Sequence, residues 1–157
     1  MTRFDELVRR LGAGHVEYVV VGGVAAVAHG YDGSTFDFDV CAHFTPENLD
    51  RLLGALRDTG LEFAPPSRRP VTERGAELVA YRYLAWKTNL GRLDILREVP
   101  PLGDYSAVAA VSDGLTLFDQ TVRVLSLEAL IQVKEHLGRE KDLLMLPGLR
   151  ALRRLRR

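Results

Sequence analysis

Residues 19–40 read VVVGGVAAVAHGYDGSTFDFDV, and the order of residue types in this stretch decides the fold. Val19, Val20 and Val21 follow Tyr18 as a short β-branched run, the composition of a buried strand. Gly22 and Gly23 break it. Val24 to His29 is alanine-rich and helix-compatible, with Gly30 where a helix C-cap belongs. A polar loop, Tyr31 to Thr35, leads into Phe36–Asp37–Phe38–Asp39–Val40. That alternation has a period of two, so it predicts a strand over residues 36–42 with an apolar face and an acidic face.

The same reading extends in both directions. Phe4, Leu7, Val8 and Leu11 recur at three- and four-residue steps, predicting an amphipathic helix over 2–11 that Gly12–Ala13–Gly14 stops. Thr45 and Pro46 form a cap and first turn for a helix with Leu49, Leu52, Leu53 and Leu56 on its core stripe, ending before Gly60. Residues 64–74 hold three prolines and three arginines and read as a flexible loop. Two strands follow, Leu78 to Trp86 and Arg92 to Leu96, joined by a turn over 87–91. Leu115 to Leu125 forms two further extended pieces. Ser126 caps a helix through Leu137, and a second, short helix starts at Arg139, with Leu149, Leu152 and Leu155 as the buried stripe of the terminal segment. The expected architecture is α+β: a mixed sheet with flanking helices and a helical C-terminal part over about 126–157, all within one domain spanning 1–157.

With 157 residues, 46% of them apolar, the chain can bury a sizeable core. A single cysteine, Cys41, excludes an internal disulfide framework and any multi-cysteine metal cluster. The N-terminal residues lack the plan of a signal peptide, and the uncharged run from Tyr18 to Tyr31 is too short and glycine-rich to span a bilayer. A cytoplasmic protein with no membrane partner is expected. Net charge is zero, yet residues 147–157 carry five arginines and no acid. That basic end reads first as the solvated face of a helix and second as an RNA-binding tail.

The acids carry the chemistry. Asp37 and Asp39 lie two apart on a strand, so both leave one face with Cα atoms about 7 Å apart. Two carboxylates aimed at one point repel unless a cation or proton lies between them, and hard oxygen donors without His or Cys suit Mg²⁺. Asp94, in GRLDIL, lies on another strand with Leu93 and Ile95 pointing the other way. A Gly–Gly turn lets backbone N–H groups approach an anion closely. Phosphate on one side and metal-binding acids on the other is the layout of a nucleoside triphosphate site. The rival readings are a dinucleotide site, which lacks G-x-G-x-x-G, and a purely structural module in which the acids pair with Arg92 and Lys87. His29 and His43 read as hydrogen-bonded structural residues, Cys41 as a small buried one, and Tyr81, Tyr83 and Trp86 as sheet packing.

VVGGVAAVAHG, STFDFDV, RLDIL and LSLEALIQVKEHLGREKDLLML, in that order over residues 15–146, resemble the polymerase-β-like nucleotidyltransferase superfamily, in particular the small bacterial members that include the AbiEii-type toxin group and minimal nucleotidyltransferase-like proteins. The resemblance implies a cytoplasmic enzyme that moves a nucleoside monophosphate from an NTP to an acceptor hydroxyl, on RNA or on a small hydroxylated molecule, with two Mg²⁺ ions, or Mn²⁺ in their place. It assigns Asp37, Asp39 and Asp94 to metal binding and catalysis, Asp94 activating the acceptor hydroxyl. It assigns Gly22, Gly23, Thr35 and Lys134 to the nucleotide, and Lys141 and Asp142 to an Arg-x-Lys-Asp turn. Gly23 stands where many members have serine, and Gly33 where many have arginine. The second departure motivates the alternative: a catalytically weak or inactive member that binds nucleotide or a protein partner, as in a toxin–antitoxin pair.

Overall fold

The computed structural model describes residues 2–156. Helix α1, Phe4–Ala13, buries Leu7, Val8 and Leu11 on one face, the three- and four-residue spacing that the sequence carries. Strand β1, Tyr18–Val21, is buried throughout and passes directly into helix α2, Gly22–Ala28. Strand β2, Asp37–Ala42, follows, then helix α3, Pro46–Ala55, whose N-cap Thr45 accepts a hydrogen bond from the Asn48 N–H at 3.1 Å.

Strand β3 is short, Glu62–Phe63, and a helical turn, α4, spans Gly75–Leu78. Strands β4, Tyr83–Thr88, and β5, Gly91–Leu96, form a hairpin whose turn is tied by Thr88 Oγ1, which donates to the Gly91 carbonyl and accepts from the Leu90 N–H. A small two-stranded ribbon, β6 (Glu98–Val99) and β7 (Gly103–Asp104), leads to helix α5, Tyr105–Ala110. The hairpin β8, Ser112–Leu117, and β9, Gln120–Leu125, turns on Phe118 and Asp119, both at positive φ, the geometry of a two-residue hairpin loop. Helix α6, Leu127–Leu137, is capped by Ser126, and helix α7, Glu140–Leu155, ends the described chain.

Seven strands form one mixed sheet in the order β3-β4-β5-β2-β1-β9-β8. Two neighbouring pairs are parallel, β2 with β5 and β1 with β9, and the rest antiparallel. Phe38, Val40, Leu84, Trp86, Leu93 and Ile95 are buried in the main core with Leu7, Leu11, Leu49 and Leu52. A smaller cluster joins Ala26 of α2 to Leu127, Ile131, Leu146 and Leu149 of α6 and α7. Helix α2 therefore contributes to both, with Val24 and Ala25 in the main core. The mixed sheet with flanking helices and a helical C-terminal part is the expected architecture.

Several elements differ from the sequence reading, each for a local reason. The strand expected from Leu78 begins only at Tyr83, because residues 75–78 coil into α4, whose start is held by Glu77 accepting from the Arg74 N–H. Tyr83 is 60% exposed and does not pack the sheet. The helix expected to be short after Arg139 is the longest in the chain. It continues through Pro147 because the carbonyl that proline leaves unpaired belongs to exposed Leu143, where water can serve it, while Leu146 and Leu149 bury on either side. Leu155 is 81% exposed and leaves the expected stripe. Phe36 precedes β2 and is 74% exposed, so the apolar face begins at Phe38. The arginine- and proline-rich loop is tied down by Arg69, which binds Glu73 at 2.8 and 3.0 Å, and by Tyr81, which donates to Glu73 at 2.7 Å.

Candidate active site

The glycine pair and the acids meet because β1 and β2 are antiparallel neighbours with Val21 opposite Asp39. Gly22 has φ +68°, which a side chain disfavours, and a Cβ there would lie 2.5 Å from Asp39 Oδ2. A Cβ on Gly23 would lie 2.9 Å from Thr35 Oγ1. The absence of side chains at both positions lets Asp39 and Thr35 approach the start of α2. Thr35 in turn donates to the Asp37 carbonyl at 3.3 Å.

Strand β5 runs parallel to β2 with Asp39 opposite Asp94 and Asp37 opposite Arg92. Four ionisable side chains thus share one face of two adjacent strands, while Phe38, Leu93 and Ile95 fill the other. Burial, then the charges of Asp94 and Asp37, push the Asp39 carboxyl up to about 6, with Arg92 opposing. Asp94 is occupied: Arg92 Nε and Nη2 both donate to its carboxylate, at 3.1–3.3 Å. Among the described residues, no three His, Cys, Asp or Glu side chains are already gathered closely enough to hold an ion. The donor set nevertheless fits a hard divalent cation, because mutually repelling carboxylates are relieved by one where they would otherwise take up a proton.

A cleft of about 550 Å³ opens beside these acids. Gly22, Gly23, Thr35, Asp37 and Asp39 line one side, and Lys134, Arg139 and Lys141 line the other. Its apolar wall comes from α2, α6 and α7 through Val27, Val133, Leu137 and Met145. Asp94 does not line the cleft but stands beside Asp39 on the next strand. Lys134 Nζ donates to fully buried Asp142 at 3.0 Å, and Arg139 Nε donates to its other oxygen at 2.6 Å. Arg139, and after it Lys134, holds the Asp142 carboxyl well below the usual carboxylate range.

The structure therefore brings together six of the seven residues singled out in the sequence along the cleft, with Asp94 adjacent. Arg139, the first residue of the Arg-x-Lys-Asp turn, joins Lys134 on the cationic wall. One contribution escapes a reading by motif. The Tyr31 ring lies between two glycines distant in sequence, its edges 2.9 Å from a Cβ built on Gly33 and 2.8 Å from one on Gly148. The only sequence signal for that seat is a glycine directly after Pro147 inside a helix. Arg92 pairs with Asp94 as the structural alternative expects, whereas among the described residues Lys87 makes no ion pair.

His29 is buried and structural: its Nε2 bonds the Leu125 carbonyl at 2.8 Å, and Arg156 donates to its Nδ1 at 3.2 Å and to its carbonyl at 3.0 Å. His43 stacks on Tyr105. Cys41 is buried, its thiol pushed up to about 12 chiefly by burial. Among the described residues no helix is long and apolar enough to cross a membrane.

No protein-family model and no curated protein matches the sequence. Among solved structures, the chain is similar to a candidate nucleotidyltransferase from Thermotoga maritima, with 16% identity and a TM-score of 0.57 over 94% of this chain and 93% of that one. It is also similar to the lincosamide antibiotic adenylyltransferase LnuA, solved with lincomycin bound, with 15% identity and a TM-score of 0.62 over 96% of this chain and 98% of that one. At such identities the shared backbone path speaks for the fold, and the fold of this chain is nucleotidyltransferase-like along nearly its whole length.

Proposed function

We propose that this chain, acting as a single cytoplasmic domain, is a nucleotidyltransferase that moves a nucleoside monophosphate from an NTP to an acceptor hydroxyl. The observation that carries the reading is the in-register pairing of Asp39 with Asp94, Asp37 one alternation away, at the edge of a cleft whose opposite wall is cationic. Asp37, Asp39 and Asp94 would hold two Mg²⁺ ions, or Mn²⁺, which when bound supply charge neutralisation to the reacting phosphate.

The acceptor oxygen attacks the α-phosphorus, the bond from that phosphorus to the bridging oxygen of the β-phosphate breaks, and pyrophosphate leaves. Asp94 takes the hydroxyl proton, directly or through a water. Gly22 and Gly23 leave room for phosphate oxygens near the backbone, and Thr35 adds a hydroxyl. Lys134, fixed by Asp142, offers a positioned positive charge to the triphosphate.

The basic C-terminus gives less support to an RNA acceptor than its charge suggests. Arg150 pairs with Glu135, Arg153 with Glu128, and Arg156 holds His29. Engaged cations are poor phosphate ligands, so we favour a small hydroxylated acceptor, the chemical class of lincomycin in the LnuA structure. The AbiEii-type affiliation and a toxin–antitoxin partner rest on the sequence motifs. The second reading, an inactive nucleotide- or partner-binding module, draws on the Arg92–Asp94 pair, which occupies the candidate base.

Isothermal titration with each NTP, with and without Mg²⁺, followed by transfer of labelled nucleotide to a panel of hydroxylated acceptors, separates the two. Metal-dependent binding and transfer, both lost in Asp37→Ala/Asp39→Ala, are expected. Binding without transfer to any acceptor favours the nucleotide-binding module, and no binding by folded wild type refutes nucleotidyl transfer and leaves the partner-binding module.

A further inference from the structure

The geometry points to Arg92 as a positioning residue that takes the cation's place at Asp94 in the nucleotide-free protein, so that loading of a divalent cation requires the Arg92–Asp94 pair to open. This rests on the nucleotidyl-transfer reading of the acids. Arg92 is on the acidic face by register, opposite Asp37 and two residues before Asp94. Its guanidinium spends two donors on the Asp94 carboxylate, and that hydrogen bonding, then the charges of Asp94, Asp37 and Asp39, raise its own pKa.

A fixed positive charge beside a cation site weakens cation binding through like-charge repulsion, so Arg92 is not explained as part of a metal site alone. Nor is it a solvated surface residue that happens to touch an acid, since Asp94 is only 17% exposed and both its oxygens accept from Arg92. What the pair does is hold a partly buried carboxylate aligned before any cation arrives. With Asp94 given over to a cation, the Arg92 side chain, 44% exposed, would be free to swing out.

The test is Mn²⁺ binding to nucleotide-free protein, read as free Mn²⁺ by electron paramagnetic resonance. Arg92→Met keeps an unbranched apolar stem out to the position of Nε and removes the charge, and it should bind Mn²⁺ on the order of tenfold more tightly than wild type. Arg92→Lys should return the affinity toward wild type. Asp94→Asn in the Arg92→Met background should erase the gain, because the gain runs through Asp94. A purely structural arginine would change thermal stability without tightening the metal. Equal or weaker binding by folded Arg92→Met, with wild-type binding still lost in Asp37→Ala, overturns this inference and leaves the functional reading standing. No Mn²⁺ binding by any of the proteins overturns both.

Discussion

Gly33 shows how a single position can look like a defect and be a fit. Where the resembling family commonly has arginine, this chain has glycine, and the Tyr31 ring fills the space: a Cβ at 33 would lie 2.9 Å from one edge of the ring. The ring cannot retreat, because its other edge faces Gly148 with equally little room. Gly33→Arg should therefore lower stability by ~1–2 kcal/mol, measured by urea denaturation, and should not raise nucleotide affinity in titration. Asp39 poses the opposite case, a side chain that costs stability. Burial, then the charges of Asp94 and Asp37, push its carboxyl up to about 6 from the ordinary 3.8, so the fold favours its protonated form. The stability gained from that preference is complete below pH 3.8 and is lost as the pH rises through about 6. In metal-free buffer, Asp39→Asn should be more stable than wild type at pH 7 by ~1–2 kcal/mol, allowing for partial exposure, and the difference should shrink toward zero at pH 4. Thermal melts across that range check both the size and the direction.

At the scale of elements, the joint between α6 and α7 depends on one carboxylate. Asp142 is fully buried and accepts from the Arg139 N–H, from its guanidinium and from Lys134. Asp142→Ala would leave Lys134, only 12% exposed, without its partner. A loss of about 3 kcal/mol is expected by urea denaturation at pH 7. Because the pairing holds this carboxyl below its usual range, its contribution is present above pH 3.8 and disappears as the pH falls below it, so the gap between variant and wild type should narrow at pH 3. This joint also shows what the sequence could convey. Ser126 and the apolar spacing announced α6, but α7 runs on past Pro147, and its length is set by Leu146 and Leu149 packing onto Ala26 and Ile131, contacts remote in the chain. In the same way β2 was legible from its alternation, whereas residues 75–78 follow no strong period and are shaped by Glu77 and by the packing of α4 on α3.

At the scale of the whole molecule, the cleft is a product of two packing clusters that share α2. The sheet and its main core fix Gly22, Asp37 and Asp39, while the smaller cluster under α6 and α7 fixes Lys134 and Arg139. Motifs reveal members of each wall, since GG, DFD and the helix lysine stand out in sequence. What they cannot reveal is the separation of the walls, which depends on Ala26 being small enough for α2 to lie close under Ile131 and Leu146, or the placing of Asp94 directly beside Asp39, which arises from strand register. A ligand that touches both walls must stabilise the whole fold, because it binds the folded state and not the unfolded one. With ATP and Mg²⁺ at a hundredfold excess over Kd, the gain is about 2.7 kcal/mol, a rise of ~5–10 °C in Tm for a chain of this size. Asp37→Ala and Lys134→Ala each remove a contact from a different wall, so each alone should cut that rise by more than half while leaving the nucleotide-free protein folded. A full shift in the Lys134→Ala protein would mean that the nucleotide rests on the sheet wall only, and that the cationic wall serves the acceptor.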